Sequence, residues 1–575
     1  MLITSRTRCI ILLAGWLLLL PVLGQAQAPR PTATPPLAWL GLQSYQRLEQ
    51  RVRSFAAQAQ TPAIADLALG MLQLQLGGLQ GLDRQRPVGL VVPTFPSGPA
   101  PAFAVSLPYT DHKALLSALR AMFPQITSQG NVLEFKEKTG SQATVAFGRV
   151  DDSTRTLLIA PTRDALQGLN AALPADFFGT ADGGADVVVR IDADTARQRH
   201  QTEWQQLLSG LDHSLRQTQQ EATQKATTVG ERVLLAAYMA MVQQQMRQFL
   251  TDLSRAEGRI TLAPEGWVFA LETQVRPGSP SAVWFPQQPQ HPSRAATLLS
   301  PEATMRTTYV LTMTDDLRRT IKTLLQNGRQ VAQTQLAAET TLPPTQREAM
   351  AAALPQLFQV PESWLSQEHL DMAFEMPSQS PAEVAMTGWI IVPDSGKTLH
   401  EILNAVDKLS PLNATTATLT RNVMQHRQTP IHRLELSTLK STTGGAQYVF
   451  VAAQGELLTF HVGTAPEPLL RLLDRLHTPP VREPVPMTAL GQSELFLAPL
   501  FQANLANMPD KTSAATMAPI MTKLRDVRDP IRIDVTTRPN TATMRYMIPG
   551  SLVQLGAESL KEVLMQSMQE SLQGK

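Results

Sequence analysis

The chain has 575 residues, of which 50 are basic and 48 acidic, so its formal net charge at pH 7 is only +2. This balance, with no run of five or six like charges, predicts no binding surface for nucleic acid or for an anionic membrane. Cys9 is the one cysteine in the sequence. Because no cysteine follows Cys9, the chain after it cannot contain disulfide bonds, cysteine-ligated zinc, iron–sulfur clusters or thiol nucleophiles.

Residues 1–28 have the pattern of a bacterial secretory signal peptide. A positively charged start and an apolar core over residues 10–20 lead to the small-residue cleavage site Ala26-Gln27-Ala28. The apolar run is shorter than the roughly 20 residues that span a bilayer, and Pro21 ends it. We therefore expect cleavage after Ala28 and a periplasmic or secreted protein with no integral membrane span.

A helical N-terminal segment is predicted over residues 29–84, because leucines recur there at helical spacing. A first α+β lobe is predicted over residues 85–290. In it, Asp111 precedes leucines at three- and four-residue steps, which indicates a capped amphipathic helix. The other predicted elements of this lobe are the strands Val88–Val92, Ala102–Leu107, Val132–Glu137, Ala143–Phe147, Thr156–Ala160 and Val187–Ile191, the helix Asp164–Leu173 and the β-hairpin Ile260–Val275.

A long Gln-rich helical hairpin over residues 196–255 is inserted in the first lobe. Its two helices carry apolar stripes at helical spacing, with few Lys or Arg residues on their polar faces. Such stripes usually pack against protein rather than against a membrane. We expect this hairpin to pack onto the sheet of its own lobe.

A second α+β lobe, over residues 291–575, repeats this order of elements. Asp394 precedes its helix as Asp111 does in the first lobe, and both lobes close with Pro-Gly-Ser, at Pro277 and Pro549. The repeat lies in the order of elements rather than in sequence identity. The predicted elements are the strands Ala382–Val392, Ala417–Met424, Ile431–Leu436, Tyr448–Ala452, Leu457–Val462 and Glu494–Leu497, the hairpin Ile531–Ile548 and a terminal helix Ser559–Leu572.

Together these elements predict an α+β fold of two similar lobes, each an antiparallel meander sheet with helices on one face. Strands such as Ala102–Leu107 and Tyr448–Ala452 are apolar throughout, which indicates that both of their faces are buried. Two arrangements would achieve this. Either the two sheets face one another, or they enclose an apolar cavity.

Two short motifs have the spacing of catalytic sites but lack their context. Gly396-Lys397-Thr398 lies between a predicted strand and a helix, as in a phosphate-binding loop, but Ile391 stands where that loop needs its first glycine. We interpret it as a capped helix start. Ser437 and Lys440 have the Ser-x-x-Lys spacing of penicillin-recognising enzymes, yet they end a strand and the companion motifs are absent.

His426 and His432 flank a predicted tight turn, with His461 on a nearby predicted strand, and three imidazoles can bind zinc. No carboxylate stands beside them at ligand spacing, and the first lobe has no counterpart. We therefore predict no metal-ligating, catalytic or cofactor-binding residue in this chain, and no cofactor.

Several short segments resemble secreted proteins common in planctomycete-type bacteria, which are families without an assigned activity. These segments are Asp83–Gly89, Leu107–Asp111, the two Pro-Gly-Ser closures and Leu552–Gly556. The resemblance implies export and this architecture, and it carries over no catalytic residue.

These observations favour an exported, non-enzymatic envelope protein that binds a partner protein or an apolar small molecule. The alternative is a periplasmic hydrolase whose active-site residues are scattered along the chain. A pocket in which two carboxylates, or a serine and a histidine, converge would favour the hydrolase.

Overall fold

A computed structural model describes residues 36–58, 61–75, 78, 80–93, 103–121, 123–136, 144–166, 169, 184–225, 229–285, 291–340, 342–376, 385–409, 417–436, 448–477, 486–487, 490–498 and 522–558. The protein has a mixed α+β fold, as the sequence predicts. It divides into two compact units. The first comprises Met1–Leu207, Leu253–Thr273 and Val553–Lys575, and the second Leu208–Asp252 and Gln274–Leu552. The predicted signal peptide and the terminal helix Ser559–Leu572 lie outside the described residues. Whether residues 85–290 and 291–575 fold as separate lobes stays a prediction.

The sheet of the first unit contains ten described strands: β1 (Ala38–Leu42), β2 (Val88–Val92), β3 (Ala104–Pro108), β4 (Gln125–Gln129), β5 (Val132–Lys136), β6 (Thr144–Asp151), β7 (Thr156–Ala160), β8 (Val187–Asp192), β9 (Leu253–Ala263) and β10 (Gly266–Val275). Their order along the sheet is β4-β5-β6-β7-β3-β2-β1-β8-β9-β10. The ladders from β4 to β9 are antiparallel, and β9 and β10 form a hairpin. The predicted strands Val88–Val92 and Thr156–Ala160 are confirmed to the residue.

The helices that begin in the first unit are α1 (Tyr45–Gln58), α2 (Pro62–Gln75), α3 (His112–Leu119), α4 (Ala193–Arg199) and α5 (Gln201–Lys225). Asp111 caps α3, because its Oδ1 accepts hydrogen bonds from the backbone N–H groups of Lys113 and Ala114 at 2.9 and 3.2 Å. Of the predicted helix Asp164–Leu173, residues Asp164–Leu166 form one 3₁₀ turn. The rest lies largely outside the described residues.

One prediction for the N-terminal segment is wrong, because residues 38–42 form strand β1 rather than helix. β1 pairs with β2 on one side and with β8 on the other, so it lies in the middle of the sheet. An apolar run of five residues fits either a buried strand or part of a buried helix. Residues 38–42 form a strand because their backbone is hydrogen-bonded to a strand on each side.

The sheet of the second unit also contains ten strands in its described residues: β11 (Met305–Thr312), β12 (His369–Met376), β13 (Met386–Ile391), β14 (Ala417–His426), β15 (Thr429–Leu436), β16 (Tyr448–Gln454), β17 (Leu457–Gly463), β18 (Gly491–Leu495), β19 (Ile531–Arg538) and β20 (Thr541–Pro549). Their order is β14-β15-β16-β17-β13-β12-β11-β18-β19-β20, with antiparallel pairing throughout. A separate two-residue ladder joins His291–Pro292 to Pro486–Met487.

The helices of the second unit are α6 (Val229–Asp252), α7 (Asp315–Ala338), α8 (Pro344–Trp364), α9 (Ser395–Leu409) and α10 (Glu467–Arg475). Val233 and Ala237 of α6 are buried in one cluster with Ala332 and Leu336 of α7. The expectation that the long helical hairpin packs onto the sheet of the first lobe is therefore corrected, because its second helix packs on helices of the second unit. No helix that the structure describes is both long and apolar enough to cross a membrane.

Helical segments cover both faces of each sheet, which corrects the prediction of helices on one face. Successive residues of a strand point to opposite faces. In β17, Leu457 packs in a cluster with α10, whereas Leu458 packs with α9. In β7, Leu157 packs with α3, whereas Leu158 packs with the 3₁₀ turn after the strand. These contacts within each unit explain why such strands are apolar throughout.

Candidate functional site

An apolar cleft of about 180 Å³ opens in the first unit between α1 and the turn that joins β9 to β10. On the helix side, Leu48, Val52 and Phe55 recur at three- and four-residue steps and so share one face. On the turn side, Leu262 and Trp267 complete the apolar lining. The Phe55 and Trp267 rings lie 5.6 Å apart, centroid to centroid. The remaining lining residues are Arg51, Ser54, Gln58, Ala263 and Pro264.

Asp186, the residue before β8, is buried and connects the two walls of this cleft. Its Oδ1 accepts hydrogen bonds from the Nε atoms of Arg47 and Arg51, both on α1; the Arg51 distance is 3.2 Å. Its Oδ2 accepts a hydrogen bond from the backbone N–H of Leu262 at 2.6 Å. One carboxylate therefore holds both the helix wall and the strand wall in place.

A second tie closes the end of the cleft. The side-chain amide of Gln58, the last residue of α1, donates a hydrogen bond to the carbonyl oxygen of Pro264 in the β9–β10 turn at 2.8 Å. With the contacts of Asp186, it fixes the width of the cleft before any ligand arrives. A pre-formed site binds more tightly, because less conformational entropy is lost on binding.

Arg51 is the one charged residue among the ten that line the cleft. Its Nε binds Asp186, and within the described part of the chain its two terminal nitrogens have no hydrogen-bond partner. Arg47 uses a second nitrogen to bind the carbonyl oxygen of Gly184 at 2.7 Å. Two guanidinium groups share one carboxylate, so this cluster carries an uncompensated positive charge at the wall of an apolar cleft.

The three histidines singled out in the sequence do not converge. His426 pairs with Asp474 of α10 at 2.8 Å, whereas His432 accepts a hydrogen bond from the backbone N–H of Asn422 at 3.3 Å. His432 pairs across the ladders with Val451, and His461 with Phe450, which is the next residue on the same strand. His432 and His461 thus point to opposite faces of the sheet. Within the described residues, no group of three or more His, Cys, Asp or Glu side chains is placed to hold a metal ion.

His461 forms a hydroxyl–imidazole pair with Thr387, at 2.9 Å between Oγ1 and Nδ1. Burial lowers the pKa of His461 to about 4, and nearby Arg471 contributes in the same direction. Both residues are at most 1% exposed. No substrate reaches a pair so deeply buried, so we assign it a packing role.

A surface cluster brings together Tyr109, Asp152 and His112. The Tyr109 hydroxyl donates a hydrogen bond to Asp152 at 2.7 Å, and His112 Nδ1 lies 3.8 Å from the same carboxylate oxygen. Burial, followed by the hydrogen bond and negative charge of Asp152, raises the pKa of Tyr109 to about 12. This shift is opposite to the one that would make a tyrosine a base or a nucleophile at neutral pH.

Of the two motif-like segments of the sequence, the structure describes Gly396-Lys397-Thr398. Asp394 caps α9 by accepting a hydrogen bond from the N–H of Lys397 at 3.2 Å, which fits a helix start. The Ser395 hydroxyl donates a hydrogen bond to the carbonyl oxygen of Gly455 at 2.8 Å. Ser437 and Lys440 lie outside the described residues.

Sequence analysis missed the cleft, because no motif marks it. The apolar stripe of α1 is visible in the sequence, but an apolar stripe is normally a packing face. Asp186 lies 135 residues from Arg51 along the chain, and nothing local connects them. The one signal of the cleft in the sequence was Asp186, a lone carboxylate just before the apolar strand β8.

Comparison of the chain with protein-family models, curated proteins and solved structures found no match. The resemblance to secreted proteins of planctomycete-type bacteria stays a hypothesis.

Proposed function

We propose that this is an exported, non-enzymatic binding protein that holds an apolar chain-like segment in the cleft between α1 and the β9–β10 turn. The observation that carries the proposal is an open, pre-formed cleft with seven apolar residues among the ten that line it. No acidic residue and no histidine is among those ten. Such a lining supports binding rather than hydrolysis, which would need converging acid–base groups.

The volume of the cleft limits what it holds. Small-molecule pockets usually measure roughly 300–1,000 Å³, and this cleft measures about 180 Å³. At about 30 Å³ for each water-sized group, it accommodates roughly six such groups. A short alkyl segment fits this space and can pack against the Phe55 and Trp267 rings, which contact each other.

The two units are, we further propose, copies of one fold, and the cleft lies in the first of them. In support, the order of the strands in each sheet is the same when β1–β10 are matched with β11–β20 in turn. The matched helix caps also agree, because Asp111 and Asp394 each begin the helix after the third strand of their unit.

The binding proposal is tested with N-phenyl-1-naphthylamine, an uncharged apolar probe whose fluorescence rises in apolar surroundings. We expect saturable binding to the full chain. Ser54→Phe fills the cleft and should weaken binding at least tenfold. Ala57→Phe is the matched control, because Ala57 is exposed on the same helix and does not line the cleft.

The expected pattern is loss of binding in S54F and unchanged binding in A57F, with both variants unfolding at the temperature of the original protein. Absence of saturable probe binding to the original protein would overturn the proposal. So would a folded S54F protein that binds the probe as well as A57F does.

A further inference from the structure

We infer that the ligand of this cleft is an amphiphile with an anionic head group, bound so that its alkyl chain packs against Phe55 and Trp267 and its head group pairs with Arg51. The inference rests on the proposed function and adds the charge of the ligand. A single-chain carboxylate is the form that the geometry favours.

The composition of the cleft walls favours an anionic ligand. An apolar cleft without a charge would select ligands by shape and hydrophobicity alone. Here one guanidinium lies in the wall, and no acidic residue lines the cleft beside it. Its electrostatic field therefore attracts a negative group and disfavours a positive one, whereas the apolar remainder binds the chain.

Arg51 is also held in an orientation that suits contact with an anionic head group. Its Nε donates a hydrogen bond to Asp186, which fixes the orientation of the guanidinium plane. Its side chain is still 24% exposed, and Asp186 is already shared with Arg47. A guanidinium offers paired N–H groups that match the two oxygens of a carboxylate, so the terminal nitrogens of Arg51 are suited to a bidentate contact.

The other charged side chains on and beside α1 do not leave an uncompensated positive charge. Arg53 points away from the cleft and pairs with Glu49 and Asp66, at 3.4 and 2.9 Å. Arg84 pairs with Glu49 as well. These side chains compensate one another, whereas the Arg47, Arg51 and Asp186 group keeps a positive excess.

The test is competition between octanoate or 1-octanol and bound N-phenyl-1-naphthylamine. The two competitors have the same chain length, and the head-group charge is their principal difference. We expect octanoate to displace the probe about five- to tenfold more effectively than octanol at low salt. This preference should shrink toward equality at 1 M NaCl, where charges are screened beyond about 3 Å.

Arg51→Gln should abolish the preference for octanoate while the probe and octanol still bind. Arg51→Lys should keep much of it, because the positive charge remains. Arg53→Gln is the matched control and should behave like the original protein. Equal displacement by octanoate and octanol, or an unchanged preference in folded R51Q, would overturn the inference. Neither result would contradict the proposal that the cleft binds an apolar chain. Absence of probe binding in the original protein would instead overturn the proposed function.

Discussion

The helix that follows the first strand of each sheet is used differently in the two units. In the second unit this helix is α7, and Ala332 and Leu336 on its apolar face are buried against α6. Gly328 allows close approach, because a Cβ there would meet the Sδ of Met241 at 2.6 Å. In the first unit it is α1, and Val52 on its apolar face lines an open cleft. The same place in the chain order thus supplies core in one unit and a binding surface in the other.

The residue before the eighth strand explains part of this difference. Gln43, just after β1, and Val310, within β11, occupy the same ladder position, and each donates its backbone N–H to the residue before the eighth strand at 2.9 Å. That residue is Asp186 in the first unit and Leu490 in the second. The carboxylate attracts arginines from α1 and holds the cleft open, whereas leucine provides no such contact.

A triplet of charges on the eighth and ninth strands of each sheet has opposite signs in the two units. Arg190, Glu257 and Arg259 of β8 and β9 occupy the ladder positions that Glu494, Arg532 and Asp534 occupy in β18 and β19. Arg190 donates to Glu257 at 2.5 Å, and Arg259 pairs with the same carboxylate. Opposite charges lie together in both units although each sign differs, as the proposed duplication of one fold would predict.

The largest expected effect comes from breaking this triplet. Glu257→Gln removes the carboxylate that binds Arg190, and both side chains are under 10% exposed. Breaking a buried ion pair in this way costs about 3–5 kcal/mol. We expect the free energy of unfolding, measured with urea, to fall by about that amount.

The triple variant R190E/E257R/R259D gives the first unit the charge signs of the second. It should regain at least half of the stability that Glu257→Gln loses, because every pair is again of opposite sign. A triple variant less stable than E257Q would contradict the proposed correspondence of the two sheets.

The next effect concerns the buried pair of the second unit. By the strand ladders, Thr387 and His461 stand where the first unit has Ala104 and Ala160. The unfolded chain takes up a proton at His461 near pH 6.5, whereas the folded chain resists protonation until the pKa of about 4. Between these values the unfolded state binds more protons, so stability falls as the pH falls.

At about 1.4 kcal/mol per pKa unit, this group should account for a loss of roughly 3 kcal/mol between pH 7 and pH 4. His461→Gln keeps a hydrogen-bonding group next to Thr387 and cannot titrate in this range. Urea unfolding at successive pH values should therefore show a shallower acid loss in the variant. Identical pH slopes in the two proteins would show that His461 is not held neutral by burial.

The smallest effect comes from the helix caps that both units share. Asp111→Ala and Asp394→Ala should each lower the free energy of unfolding by about 1 kcal/mol, because each removes a carboxylate that accepts a hydrogen bond from a first-turn N–H group. Asp111 accepts two such bonds, so its loss should be the larger. Thermal unfolding of the two variants checks both the size and the order of these effects.

Local patterns in the sequence predict the elements whose signals are local. The Asp111 cap and the strand Val88–Val92 are confirmed because a capping residue and a short β-branched run each act within a few residues. Strand β4 of the first unit was not predicted, nor were the elements from β11 to β12, which occupy a large part of the second unit. In β4 (Gln125–Gln129) only Ile126 is apolar, so its pairing with β5 rather than its composition makes it a strand.

The cleft could not be predicted in this way. Its walls come from α1 and from a turn more than 200 residues later, joined by Gln58 and Pro264. The carboxylate that holds them, Asp186, comes from a third part of the chain. The sequence favoured a partner protein or an apolar ligand, on the absence of catalytic motifs, but it placed no residue in the binding site.

A crystal of the full chain grown with 8-bromooctanoate would locate the ligand through the anomalous scattering of bromine. We predict one strong bromine peak in the first unit, beside the Phe55 and Trp267 rings or at the open end of the cleft, with the carboxylate at Arg51. A bromine peak at any other place on the chain, or an empty cleft at saturating ligand, would contradict the assignment of this cleft as the binding site.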